Sequence, residues 1–273
     1  MRIAVYQGAG AEISLSPAAR TDMNVEIMSQ AVFQAAEQGV NLLVFPELFL
    51  TNYNIGEEVD VVAEPANGPS AQRMAIIAKK AGVAVCYGFP ERALDGGGGI
   101  FNSMSVINRQ GNLTATYRKT HLFGDEERRH FVPGDELAIV ELDGWRFGLA
   151  ICYDVEFPEL IRSLALSGAE AVLVPTALMK PYDFFAEQLV PSRAIENQLY
   201  MAYANRCGSE VDLSYCGLSC VVSPEGETLA RAGLEEEMLI ADLRKEVIVK
   251  ARELNPYLRD RRPELYVSPV RRI

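Results

Sequence analysis

Apolar and polar positions follow two alternating periods along this chain. Ile3-Ala4-Val5-Tyr6 is an unbroken apolar run, as a buried strand requires. Over 22–38, Met23, Ile27, Ala31 and Ala35 fall on one helical stripe, widened by Val25, Met28, Val32 and Phe33, and Gly39 stops it. The run Val40 to Phe45 reads as a second buried strand, closed by Pro46, which cannot continue a ladder. A helix over 70–81, a strand over 83–89 and a hairpin of 101–108 with 113–119 follow, the hairpin turning on Asn108-Arg109-Gln110-Gly111. Residues 124–134 read as a charged, solvated loop. Strands over 137–142 and 145–151 then pair across Asp143-Gly144, and a helix over 159–166 is opened by Pro158.

The pattern then repeats. Gly168 to Thr176 parallels Gly39 to Glu47, with a helix stop, an apolar strand, a proline and a polar residue. A helix over 188–198, a strand over 199–205 and a hairpin of 217–222 with 228–231 match the elements of the first half. Two related halves, each a sheet with helices on one face, imply an α/β protein. The sheets would pack on each other as a four-layer α-β-β-α sandwich about a pseudo-two-fold axis, in a single domain over 1–273. From 243 onward arginines mix with prolines and with Tyr257 and Tyr266. This stretch cannot make its own core, and reads as an arm packed on another surface, most simply that of a partner subunit in a homodimer or higher homo-oligomer.

Charge narrows the function. The balance of 26 Lys and Arg against 37 Asp and Glu gives a net charge of −11, with pI near 4.8. An acidic chain has no electrostatic footprint for nucleic acid or an anionic membrane. The N-terminal run reads directly as a strand, without a signal-peptide core, and no apolar run approaches the ~20 residues that span a bilayer. The expected location is the cytoplasm. There the five cysteines, 86, 152, 207, 216 and 220, would be reduced. Two histidines, His121 and His130, make no metal-binding pattern, and no phosphate-cradling glycine motif is present. Gly96 to Gly99 reads as a flexible turn. Neither metal nor cofactor is expected.

Three chemically active side chains sit at predicted strand ends. Cys152 ends the strand over 145–151, Glu47 follows Pro46, and Lys119 ends a hairpin. Taken singly, each has an ordinary alternative: a small core hydrophobe, a turn cap, a solvated lysine. Together, Phe45-Pro46-Glu47-Leu48, Tyr117-Arg118-Lys119-Thr120-His121-Leu122 and Gly148-Leu149-Ala150-Ile151-Cys152-Tyr153-Asp154 resemble the motifs of the nitrilase, or carbon–nitrogen hydrolase, superfamily, over 1–242 and with the same layered architecture. The resemblance implies Cys152 as nucleophile, Glu47 as general base and Lys119 as oxyanion stabiliser. It also implies a second glutamate before Phe131-Val132-Pro133-Gly134, where Glu127 is favoured over Glu126 by its spacing from Pro133. Tyr153, Tyr53, Glu156, Phe157, Thr176 and Asn197 are expected around them, Thr176 because it occupies the position in the second half that Glu47 holds in the first.

The amidase-like branch is the best match, through Lys119 to Arg128, and implies hydrolysis of small carboxamides through a thioester. N-carbamoyl-amine hydrolysis needs an arginine to grip a carboxylate, for which Arg193 is the candidate. Nitrile hydrolysis is disfavoured, because Tyr153-Asp154 stands where nitrilases carry Trp-Glu. A Cys–His hydrolase using His121 and a catalytically silent binding protein are the remaining alternatives.

Overall fold

The computed structural model describes residues 1–94 and 99–266. Gly96 to Gly98, and Pro269, Arg271 and Arg272 of the expected arm, lie outside the described residues.

Six strands make the first sheet. They are β1 (Arg2–Gln7), β2 (Leu42–Val44), β3 (Ala84–Arg92), β4 (Ile100–Ile107) and β5 (Leu113–Arg118), with a strand from near the chain's end beside β1. The second sheet holds β6 (Ile139–Leu142), β7 (Trp145–Leu149), β8 (Ala171–Pro175) and β9 (Tyr200–Ala204). A small hairpin of β10 (Ser209–Glu210) and β11 (Leu213–Ser214) precedes β12 (Cys220–Val222) and β13 (Thr228–Arg231), which complete that sheet, and β14 (Glu237–Asp242) returns to the first. The strand orders are β14-β1-β2-β3-β4-β5 and β6-β7-β8-β9-β12-β13. In each, three central strands run parallel and the flanking pairs are antiparallel. The two halves therefore share one topology, and Glu47 after β2 corresponds to Thr176 after β8.

Helices α1 (Pro17–Glu37), α2 (Val59–Val62) and α3 (Pro69–Ala81) belong to the first half. Helix α4 (Gly124–His130) links the halves, and α5 (Pro158–Leu166) and α6 (Val190–Asn197) cover the second. Helices α7 (Lys245–Leu254) and α8 (Tyr257–Asp260) end the described chain. Apolar packing falls into layers. Ile3, Leu42, Val106, Phe147, Leu173 and Ala202 meet between the sheets. Met28, Val32 and Met74 bury the outer face of the first sheet, and Leu160, Leu164 and Val190 that of the second. The α-β-β-α sandwich is thus the observed architecture.

Local differences have physical causes. Helix α1 starts at Pro17, before the expected apolar stripe, because Pro fits the first turn of a helix. Its buried face runs through Asn24, Val25, Met28, Ala31, Val32 and Ala35, while Met23 and Phe33 are exposed. The expected loop over 124–134 is half helix. In α4 acidic residues occupy the first turn and basic ones the last, an order that suits the helix dipole. The Asp143-Gly144 turn is as expected, both residues adopting positive φ (47° and 77°), the two-residue type that matches strand twist.

The chain from 245 docks first on its own body. Ile248 and Ala251 are buried, and the Gln198 amide donates to Ala251 O at 2.7 Å. Beyond Leu258 the described residues lie largely on the surface. Among the described residues, no helix is long and apolar enough to cross a membrane.

Candidate active site

Two sheets packed face to face bring their strand ends together, and the polar cluster sits there. β2 is short because Pro46 ends it, and the chain turns sharply, with Leu48 at φ 48°. A Cβ on Gly88 of β3 would stand 2.3 Å from Leu48 N and 2.9 Å from Glu47 C. Only glycine lets that turn lie so close to the strand. Glu47 is fully buried, and its backbone N–H donates to Thr176 O at 3.3 Å.

Lys119 leaves β5, an edge strand that is exposed or half exposed except at Tyr117, yet its side chain is fully buried. Its ammonium donates to Glu47 Oε1 and to Glu127 Oε1, both at 2.7 Å. Asn102 of β4 donates to the same Glu47 oxygen at 2.7 Å. Glu127, near the middle of α4, also accepts the Tyr53 hydroxyl and the Phe123 backbone N–H, each at 2.8 Å. Glu126 faces solvent and pairs with Arg129 at 2.9 Å. The glutamate that reaches Lys119 is therefore Glu127. Among the described residues, Glu47 Oε2 is buried without a hydrogen-bond partner.

Cys152 lies just past β7 at φ 47°, a left-handed conformation that costs a non-glycine residue about 1–2 kcal/mol. Asp154 holds this turn. Its buried carboxylate accepts the Ile151 N–H at 3.0 Å, the Tyr117 hydroxyl at 2.9 Å, the Thr120 hydroxyl at 2.8 Å and the His121 N–H at 2.9 Å. One side chain thus ties the segment carrying Lys119 to the segment carrying Cys152. Arg193 of α6 fixes the far end of the same turn, donating to Val155 O at 2.9 Å and to Glu156 O at 2.8 Å.

Electrostatics follow from one cation between two carboxylates. Burial pushes the Lys119 ammonium toward neutrality, but Glu127 and Glu47 outweigh it and hold its pKa well above the usual lysine value. Burial raises the Glu47 carboxyl, Lys119 opposes this, and Glu127 adds to it. Burial and the Glu47 charge raise the Cys152 thiol well above its usual range, against the pull of Lys119 and a hydrogen bond from the Ala177 backbone. The resting sulfur is a thiol with a base and an ammonium beside it.

Above Cys152 is a narrow chamber of about 20 Å³ walled by Tyr53, Phe123, Tyr153, Glu156, Tyr182 and Phe185 among others. Only small groups fit beside the sulfur. A larger hollow of about 360 Å³ shares Tyr53, Phe123 and Met179 with it. The larger space lies away from the sulfur, so the small chamber is where chemistry at Cys152 takes place.

Not every expected residue reaches this chamber. The Thr176 hydroxyl donates to Val174 O at 3.2 Å, while the neighbouring Ala177 lines the chamber. Asn197 stays on α6, donating to Arg193 O at 3.0 Å. Phe157 stacks on His121, with ring centroids 3.7 Å apart, and meets Tyr153 edge-on. His121 is also hydrogen-bonded to Asp154, so it braces the turn and is not a base for the thiol. Sequence reading missed Asn102, Ala177, Tyr182 and Phe185, and the bracing by Asp154. Asp154 carried a signal, an acid two residues past a strand-end cysteine; the others carried none. Among the described residues, no group of three or more His, Cys, Asp or Glu side chains is arranged to hold a metal ion.

Comparison with known proteins agrees with this geometry. The family model described as carbon–nitrogen hydrolase matches residues 2–253. A Pseudomonas protegens protein named "Hydrolase in pqqF 5'region" is 48% identical over 97% of this chain and 90% of its own. An (R)-stereoselective amidase of Pseudomonas sp. is 39% identical over 81% of this chain and 80% of its own. The solved amidase from Nesterenkonia sp. superposes with a TM-score of 0.84 at 34% identity, covering 97% of this chain and 95% of that one. One mutant of that amidase carries the acetamide moiety of fluoroacetamide on its active-site cysteine, and another was solved in complex with butyramide. With a family match along most of its length and the same layered fold, this chain belongs to the carbon–nitrogen hydrolase family, as an amidase-like member of the nitrilase superfamily.

Proposed function

We propose that the protein hydrolyses small carboxamides to a carboxylic acid and ammonia, through a thioester on Cys152. The observation that carries this is the placement of Lys119, 2.7 Å from Glu47 and Glu127, beside a cysteine that opens into a narrow chamber.

An amide carbonyl is a poor electrophile, so the nucleophile must be better than water and formed only when needed. The high thiol pKa means that the sulfur loses its proton as it attacks. Glu47 takes that proton, and its partnerless Oε2 is the oxygen with room for it. The carbonyl oxygen becomes an oxyanion facing the Lys119 ammonium and the Tyr153 backbone N–H. Fixed donors of this kind contribute about 3–4 kcal/mol each. As the tetrahedral species collapses, the C–N bond breaks and Glu47 hands its proton to the departing nitrogen, releasing ammonia. A water then gives a proton to Glu47 and its oxygen to the acyl carbon. The C–S bond breaks, the acid leaves, and the sulfur recovers the proton. Glu127 keeps Lys119 charged and in place, with Tyr53 holding Glu127.

The N-carbamoyl reading loses its carboxylate grip, since Arg193 is committed to two backbone carbonyls and to Glu196. The test is ammonia release from acetamide, propionamide and butyramide. Wild-type protein is expected to turn over at least one of them, and Cys152→Ala to lose about 10⁴-fold or more. Equal rates in both proteins, or no release from any amide by folded wild type, would contradict the reading.

A further inference from the structure

Glu156 is the one carboxylate of the chamber wall to which the reaction above gives no task. It lines the space over Cys152 with Tyr153, Tyr182 and Phe185. Arg193, one of two cations that act on Glu156, spends its guanidinium on Val155 O, on the Glu156 backbone O and on the Glu196 carboxylate. The Glu156 side chain therefore faces the chamber as a hydrogen-bond acceptor with no fixed donor among the described residues. Lys119 cannot turn to it, because Glu47 and Glu127 already hold its ammonium at 2.7 Å each. Burial lifts the Glu156 carboxyl to about 7, with Lys119 and Arg193 pulling the other way.

We propose that Glu156 reads the acyl part of the substrate, admitting carboxamides whose acyl chain carries an ammonium or other N–H donor and rejecting those that carry a carboxylate. The proposal rests on the amidase reading and names its substrate class. Charges around the chamber argue for it. Glu47, Glu127 and Glu156 are three carboxylates, set against Lys119, which the first two hold, and Arg193, whose guanidinium is spent on two backbone carbonyls and Glu196. A substrate carboxylate meets like charge and no free donor. In a narrow, mostly apolar space that repulsion is less screened than in open solvent. A substrate ammonium instead finds an open acceptor and the aromatic rings of Tyr153, Tyr182 and Phe185, a residue type that attracts cations. Aliphatic amides without charge fall between the two.

Binding to Cys152→Ala tests this independently of turnover. Three amides of matched length serve as probes: 3-aminopropanamide, butanamide and succinamate, titrated by calorimetry at about pH 8, where Glu156 is mostly ionised. The cation is expected to bind at least about tenfold tighter than the anion, a gap of about 1.4 kcal/mol. Glu156→Gln in the Cys152→Ala background is expected to shrink that ratio about fivefold or more. Glu156→Asp, which keeps the charge, should preserve the order. A ratio unchanged in Glu156→Gln, an anion that binds best, or no measurable binding of any probe overturns the proposal. Absence of ammonia release by wild type, with this binding order intact, would overturn the hydrolysis reading alone.

Discussion

The Asp154 carboxylate accepts the backbone N–H of His121 at 2.9 Å, and this bond couples the segment that carries Lys119 to the turn that carries Cys152. The same carboxylate takes three further donors, from Ile151, Tyr117 and Thr120. Two side chains from separate strands thus keep their spacing because a third residue, with no part in bond making, accepts hydrogen bonds from both sides. Asp154→Asn replaces one acceptor oxygen by a donor and leaves buried donors unpaired. The expected cost is about 2–3 kcal/mol in chemical denaturation. A misplacement near 1 Å between the reacting groups should also lower kcat about 100-fold, more than it changes KM. Steady-state kinetics showing kcat intact would separate Asp154 from the positioning role.

Lys119 is the shared counter-charge of two buried carboxylates. Lys119→Met should destabilise the protein by about 3–5 kcal/mol, since it leaves both acids without their counter-charge. Adding Glu127→Gln removes one of those acids and should restore part of the lost stability. It should not restore turnover, because the oxyanion donor is still missing. Urea denaturation of the single and double variants, read beside ammonia release, checks both halves.

Glu156 makes stability depend on pH in a stated direction. Its folded pKa of about 7 lies above the ordinary value of 4.5, so the folded state holds the proton more tightly. The stability that goes with the bound proton is complete below the ordinary value. It is lost as pH rises through about 7. Each pKa unit corresponds to about 1.4 kcal/mol, and solvent screening of this partly exposed group reduces the total to about 1–2 kcal/mol. Glu156→Gln should therefore be more stable than wild type by that amount at about pH 8, and nearly equal to it at about pH 4.5. Equal denaturation midpoints at both pH values would contradict this.

The last described segment carries exposed apolar side chains. Tyr257, Leu265 and Tyr266 are 46%, 54% and 62% exposed, beyond the helix α7 that docks on the body. Ending the chain after Asp260 spares α7 and Leu258. We expect it to weaken self-association, seen as a shift toward monomer in sedimentation velocity. An unchanged distribution would retire the arm as an interface.

Much of this fold was legible because its central strands are apolar runs bounded by Gly and Pro. The repeat of Gly39 to Glu47 in Gly168 to Thr176 marks strands that occupy matching places in the two sheets. Helix α4 escaped because it presents a single buried residue, Glu127, and so has no apolar period. The lesson of Thr176 is narrower. Matching backbone positions do meet, Glu47 N–H on Thr176 O, yet the threonine hydroxyl turns to its own strand. Position along a strand end was readable; side-chain direction was not. Arg206, fully buried and bonded to Ala9 O and Glu210, shows the same limit, since nothing in the order of residues marks an arginine for the interior.

The central claim is that Cys152 carries the acyl group. Brief exposure to a mixture of small amides, acid quench and peptide mass spectrometry tests it most directly. The account predicts an added acyl mass on the peptide containing Cys152, lost on longer incubation and absent in Cys152→Ala, with Glu47→Gln slowing both its formation and its release. Ammonia released by wild type with no such adduct in any variant, or an adduct on Cys86, Cys207, Cys216 or Cys220 instead, would contradict it.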